Sequence, residues 1–387
     1  MTLDHIGIAA ASPAADALFQ RLLGIAPYKT ETVDREGVRT VFFGDGKAGR
    51  APKLELLHAL HDASPVAGFL TKRGPGLHHL AFEVDDLEAE MARVAADGFR
   101  LLADAPKPGA DGKRIVFLHP KDTGGVLVEL VQSTRQREWQ RVASADGEIA
   151  VQVSGPEEAP PLVVLHGALG STEMETDRLI RFWERDFRVY GVDFLGHGRS
   201  GDLPAGTPTW GDWTAQVVAA MDGLDIERAH LFGFSMGGGV ALAVAHDHPD
   251  RVDRLAVHGV NVRWTEDEVE RMVTPIDPDR MAREQPFWAR RLAEVHGGAR
   301  WRDLVGSVVA FTRALPTVAV DDAWLRQVTT PTLVSHGDAD RFFDLRHPFH
   351  LRRTLSDARL RIVPALDHPI QGVRPARFAA DVSAFLR

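Results

Sequence analysis

The chain has 387 residues, 44% hydrophobic and 26% charged, which is the balance of an ordinary globular protein and more length than one typical domain uses. A formal net charge of −9 without a dense basic run excludes a nucleic-acid footprint. The absence of cysteine excludes disulfides and thiolate metal sites, leaving histidine and carboxylates to hold any metal. The opening MTLDHIGIAAA places Asp4 and His5 where a signal peptide would be apolar, and no run nears the ~18 apolar residues of a membrane span. A cytoplasmic chain with no membrane partner is expected.

The first elements repeat. LDHIGIAAASPAADALFQRLLGI resembles LHHLAFEVDDLEAEMARVAADGF. Each begins with an alternating apolar strand, continues through a capping residue (Ser12 or Asp86) into an amphipathic helix, and stops at a glycine, Gly24 or Gly98. RTVFFGDG and KLELLH supply further strands in the first copy. Two modules of one strand, one helix and three strands are predicted over residues 1–133, followed by a linker at 134–138.

A different pattern fills residues 139–387. RVASADGEIAVQVSG predicts a hairpin turning at Asp146-Gly147. PLVVLHG, RVYGVDFLGHG, RAHLFGF, RLAVHGV, PTLVSHG and LRIVPALDH then predict strands that alternate with helices, hence a mostly parallel sheet covered on both faces. Residues 263–328 are Trp-rich and helix-like and interrupt this alternation as a lid. Trp264, Trp288, Trp301 and Trp324 are expected in the lid core.

The repeat carries chemistry. His5 and His79, and Glu55 and Glu129, are each separated by 74 residues (79 − 5, 129 − 55). Pairing the modules about a pseudo-twofold axis brings the four together on inward strand faces. Two imidazoles, two carboxylates and water suit a divalent Co, Mn, Ni or Zn ion. His78 is expected on the opposite strand face from His79, and His58 is expected outside the site. On GLHHLAFEVDDLEAE (76–90) and GKRIVFLHPKDTGGVLVEL (112–130), this half resembles the vicinal-oxygen-chelate superfamily, and within it the methylmalonyl-CoA epimerases. That resemblance implies paired βαβββ modules and metal-assisted removal of an α-proton from an acyl thioester, with Glu129, Glu55 or Glu36 as acid or base. Epimerases tend to carry a glutamate where Arg35 stands here, with Glu36 one position later.

In the second half, Gly233-Phe234-Ser235-Met236-Gly237 lies between an apolar strand and an apolar helix, the context of a nucleophile elbow. Asp340 and His368 follow, each just after a strand, in the order a serine triad requires. The backbone N–H groups of Ala168, after His166-Gly167, and of Met236 are the candidate oxyanion hole. With VDFLGHGRS (192–200), these motifs make this half resemble the α/β-hydrolase superfamily. The resemblance favours Asp340 over Asp338 as the acid and makes Asp367, in place of the usual glycine before the histidine, a departure. Together the halves predict a bifunctional enzyme that epimerises or enolises an acyl-CoA-type thioester and hydrolyses a thioester or ester. Two alternatives stay open: a hydrolase carrying a non-catalytic ligand-binding or dimerising N-terminal domain, and a glyoxalase-like lyase fused to a hydrolase. A homodimer is compatible with the paired modules.

Overall fold

A computed structural model describes residues 1–44, 52–84, 87–133, 138–317 and 320–387. The chain divides into two compact units, Met1–Gln136 and Arg137–Arg387. Of the expected linker only residue 138 is described, and it opens a strand; Asp86, expected to cap a helix, lies outside the described residues.

The first unit is one curled sheet built from β1 (Thr2–Ala9), β2 (Lys29–Val33), β3 (Val38–Phe43), β4 (Lys53–Ala59), β5 (Gly76–Glu83), β6 (Lys107–Pro108), β7 (Lys113–Leu118) and β8 (Leu127–Ser133). Their order is β2-β3-β4-β1-β5-β8-β7-β6, which reads outward from the centre as the same arrangement twice. β1 runs parallel to β4 and β5 parallel to β8, while β1 and β5 pair antiparallel. The strands bearing the two histidines and two glutamates are therefore the four central ones. The helix Leu87–Ala96 buries Leu87, Met91 and Val94, one face at helical spacing. Its counterpart Ala14–Leu23 buries none of its residues and leaves Leu18 and Leu22 exposed. Ser12 does not cap that helix: Pro13 takes the N-cap position, where no side chain bonds the first turn. Gly24 closes it in a left-handed conformation, φ 69°, which glycine adopts without Cβ strain. A helix at Pro65–Arg73, capped by Ser64, was not legible in the repeat.

The second unit has strands β9 (Glu138–Ser144), β10 (Gly147–Ser154), β11 (Pro161–Leu165), β12 (Arg188–Asp193), β13 (Ala229–Phe234), β14 (Val252–His258), β15 (Thr332–Gly337) and β16 (Ala358–Val363). Their order is β16-β15-β14-β13-β11-β12-β10-β9. The β11–β16 strands are parallel, with the β9–β10 hairpin antiparallel at one edge. The near-continuous apolar strands follow from burial on both faces: Trp213, Val217 and Val240 pack on one side, and Trp183, Phe232 and Phe378 on the other. Each fully buried side chain of this size contributes about 1.5–3 kcal/mol. Between β14 and β15 the chain forms the helices Glu266–Val273, Pro278–Glu284, Pro286–His296, Arg300–Ala314 and Asp322–Gln327. They have their own core around Leu292, Trp301, Leu304 and Val305, which also takes in Leu169. Among the described residues, no helix is long and apolar enough to cross a membrane.

Candidate active site and candidate metal centre

In the second unit, Ser235 sits between β13 and the helix Met236–Asp247 at φ 50°, a strained conformation for a residue with a side chain. The turn closes because its neighbours are glycines. A Cβ on Gly233 would lie 2.3 Å from Gly237 O, and one on Gly237 would lie 2.4 Å from His166 O. His368 Nε2 is 3.0 Å from Ser235 Oγ, and His368 Nδ1 donates to Asp340 Oδ2 at 2.8 Å. Asp340 is held by the backbone N–H groups of Phe342 and Phe343 at 2.8 and 2.9 Å. Although burial raises its pKa, the bond to His368 and these N–H groups bring it below the ordinary value. Asp338 faces elsewhere and accepts the N–H of Ala365 at 2.6 Å. An imidazole set between a hydroxyl and a buried carboxylate can take the hydroxyl proton while the carboxylate fixes its tautomer.

Ala168 and Met236 line the cavity in front of Ser235. Met236 is the first residue of its helix, where backbone N–H groups lack intrahelical partners. The preceding amide, Gly167, is already engaged, donating to Glu175 Oε2 at 2.7 Å. Burial raises the Glu175 carboxyl to about 8. The same loop is fixed from the helical insertion by His296. This buried imidazole accepts from Gly198 N–H at 2.9 Å through Nδ1 and donates through Nε2 to Leu169 O at 3.0 Å.

In the first unit the four residues of the repeat meet. His5 Nε2 and His79 Nε2 are 2.9 Å apart. Glu55 Oε2 lies 3.3 Å from both nitrogens, and Glu129 Oε2 lies 3.4 and 3.6 Å from them. Ligand atoms bound ~2.1 Å from one ion would have such neighbour separations. The mutually close set is His5, His79 and Glu129, all within 4.8 Å; Glu55 shares the histidines but falls outside that set. All four are buried. Burial opposes charge on His5, yet Asp4, Glu55 and Glu129 raise it to about 10, because the buried carboxylates favour positive charge beside them. Burial raises Glu129, while Glu55 is lowered because its bonds to the two imidazoles outweigh burial. The donor set fits a divalent cation.

Two β-bulges complete the centre. Leu3 opposes Phe82 and His5 opposes Ala81, leaving Asp4 as an extra residue. Its carboxylate reaches back to His5 Nδ1 at 2.7 Å and pairs with Lys113, leaving Nε2 of His5 to face the site. Farther along, Gly7 opposes His79 and Ile8 opposes Leu77, so His78 is also extra. The expectation that His78 faces away is thus overturned: the bulge turns it in, and its Nδ1 lies 3.0 Å from His79 Nδ1. His58 is outside, paired with Asp16 at 2.6 Å.

Known proteins match each unit separately. A model of the glyoxalase/bleomycin resistance protein/dioxygenase superfamily matches residues 4–117, and one of the α/β hydrolase fold matches residues 160–315. Human mitochondrial methylmalonyl-CoA epimerase is 41% identical over 133 residues, 34% of this chain and 73% of the relative. The 2-hydroxymuconate semialdehyde hydrolase of Pseudomonas sp. strain CF600 is 30% identical over 258 residues, 58% of this chain and 86% of the relative. The chain belongs to both families, one in each unit. The structure of 2-hydroxy-6-oxo-6-phenylhexa-2,4-dienoate hydrolase from Rhodococcus sp. strain RHA1 shares the hydrolase fold, with a TM-score of 0.56 and 22% identity over 65% of this chain and 99% of that one.

The glyoxalase-superfamily unit encloses a cavity of about 300 Å³ lined by the four repeat residues, His78 and a largely apolar wall. Glu36 lines it too, from a short helical turn at Asp34–Glu36, with Lys107 Nζ 2.5 Å from its Oε1. In the hydrolase unit, Trp301 is buried in the insertion core and Trp288 packs against it. Trp264 departs from the expected core role, because it lines the cavity before Ser235. Asp4, Gly7, Glu175 and His296 were missed: Gly7 and His296 act on residues that only the fold brings near, and Asp4 reaches His5 only through the bulge.

Proposed function

We propose that this chain is a bifunctional enzyme acting on activated acyl groups. Its hydrolase unit would cleave an ester or thioester through Ser235. His368 takes the hydroxyl proton as Ser235 Oγ attacks the acyl carbon, and Asp340 stabilises the imidazolium. The N–H groups of Ala168 and Met236 receive the developing oxyanion. His368 then returns its proton to the leaving group, and water repeats the sequence on the acyl-serine. The unbroken chain of bonds from Ser235 through His368 to Asp340 carries this reading.

The glyoxalase-superfamily unit would move the α-proton of an acyl thioester. A divalent ion (Co, Mn, Ni or Zn) held by His5, His79, Glu129 and Glu55 would stabilise negative charge on the thioester oxygen as that proton leaves. Asp4 orients His5, and the apolar wall excludes water. Glu36 supplies a carboxylate to the same cavity, where it pairs with Lys107. The close set of His5, His79 and Glu129, with Glu55 3.3 Å from both imidazoles, and the likeness to methylmalonyl-CoA epimerase support this half.

A panel of acyl-CoA and simple ester substrates on wild type, Ser235→Ala and His79→Ala, with mass spectrometry in deuterated water, tests both halves. Ser235→Ala should lower hydrolysis by about 10⁶-fold and leave deuterium uptake intact; His79→Ala should do the reverse. Hydrolysis that survives Ser235→Ala refutes the triad. A protein that takes up no divalent metal and shows no α-proton exchange with any metal supplied refutes the epimerase half.

A further inference from the structure

The cavity before Ser235 has a volume of about 30 Å³. That leaves room for two or three water-sized groups, and so for a short acyl chain, at ~10–15 Å³ each. Its wall is apolar, with Trp210, Phe311, Leu315 and Phe343 around the serine, and none of its lining side chains is charged. Two residues of this wall each carry an N–H donor without a partner among the described residues: Asn261 at Nδ2 and Trp264 at Nε1. Both atoms are shielded from solvent. Asn261 is only 4% exposed. Its amide is oriented, because Oδ1 accepts the backbone N–H of Arg263 at 2.9 Å and so leaves Nδ2 as the unused end. Neither residue belongs to the triad or the oxyanion loop. A buried donor without an acceptor is costly, and beside a cavity a ligand oxygen that reaches it relieves that cost.

The missing acceptor can be given a chemical class. A carboxylate would enter this cavity without a counter-charge, at a large desolvation cost. A neutral oxygen accepts the same bonds without that cost. We propose that Asn261 and Trp264 are specificity-determining residues that donate to a neutral oxygen, a keto, ether or hydroxyl group, on a short acyl chain. This rests on reading Ser235 as the nucleophile, and it narrows the substrate from any activated acyl group to a short, oxygenated one. A site built to bond an oxygen discriminates against the analogue lacking it, because its donors are then left bare.

The test compares p-nitrophenyl methoxyacetate with p-nitrophenyl butyrate, whose acyl groups have equal numbers of heavy atoms and differ by one ether oxygen. Each kcat/KM is divided by that ester's rate constant with hydroxide, which removes the difference in intrinsic reactivity. The corrected ratio should favour methoxyacetate by about tenfold or more in the wild-type chain. It should fall toward one in Asn261→Leu and fall in part in Trp264→Phe, with thermal unfolding to check that each variant is folded. If Asn261→Leu does not fold, Trp264→Phe decides alone. A wild-type ratio near one, or a ratio unchanged in the folded variants, overturns the proposal. Both esters remaining substrates of Ser235→Ala would instead overturn the nucleophile assignment.

Discussion

Replacing Gly7 with alanine tests whether the metal-centre reading is correct at the level of single atoms. The β1–β5 register sets Gly7 opposite His79. A Cβ there would lie 2.3 Å from Cε1, 2.5 Å from Nδ1 and 2.7 Å from Nε2 of the imidazole. Ordinary carbon contacts are ~3.5–4.0 Å, so the ring must retreat by about 1 Å. Nε2 is the atom that faces His5, Glu55 and Glu129, and coordination bonds tolerate only ~0.2 Å. Misplacement by 1 Å is worth about 100-fold, which is about 2.7 kcal/mol at 1.36 kcal/mol per tenfold. Metal affinity, measured by metal content after dialysis against buffered free-metal concentrations, should fall by that factor, and α-proton exchange should fall with it. Added volume in a packed strand should also lower stability by about 1–3 kcal/mol. Ester hydrolysis by the second unit reports whether the rest of the chain is sound. Wild-type metal affinity in Gly7→Ala would refute the placement of His79 in the centre.

Three further outcomes are expected. Asp340→Asn should lower kcat for ester hydrolysis by about 10⁴-fold, whereas Asp338→Asn, at a carboxylate that accepts the Ala365 N–H, should change it by less than tenfold; the reverse ranking would exchange the two assignments, and equal effects would refute the choice of Asp340. Glu175 is raised from 4.5 to about 8 by burial, so its contribution to stability is complete below pH 4.5 and is lost as pH rises through 8. Glu175→Gln keeps an acceptor for Gly167 and should flatten the pH dependence of Tm between those values; an unchanged slope would show that Glu175 does not titrate there. His296→Phe strands the Gly198 N–H and the Leu169 carbonyl, and at about 1–3 kcal/mol for each unsatisfied group urea unfolding should show a loss of roughly 2–6 kcal/mol. Stability equal to wild type would mean that water reaches both groups.

The four candidate metal ligands were legible because duplication writes one structural fact twice. β5 begins and ends 74 residues after β1, and β8 does the same relative to β4, so a side chain inward in one module is inward in the other. The bulges were not legible. Strict alternation puts Asp4 and His5, or His78 and His79, on opposite faces, and only the antiparallel pairing of β1 with β5 inserts the residue that breaks it. The elbow was legible because part of its constraint is local: a Cβ on Gly233 would strike Gly237 O within the same turn. His296 was not, since its partners Gly198 and Leu169 are 98 and 127 residues away. Asn261 lay in a stretch without periodicity, and its meaning comes from a bond it does not make.

Asp367 shows how a departure from a family pattern acquires a physical sense. It stands where glycine is usual, immediately before His368. Its Oδ1 accepts the N–H groups of His368 at 2.8 Å and Arg341 at 3.1 Å, and its Oδ2 accepts Arg341 Nε at 2.7 Å. Arg341 follows Asp340 directly, so this carboxylate joins the loop carrying Asp340 to the loop carrying His368. The charge pairing is exposed and contributes little by itself. The two backbone bonds matter more, because they constrain the loop termini from which Asp340 and His368 project. Glycine would give this loop freedom; aspartate exchanges that freedom for a fixed distance between Asp340 and His368.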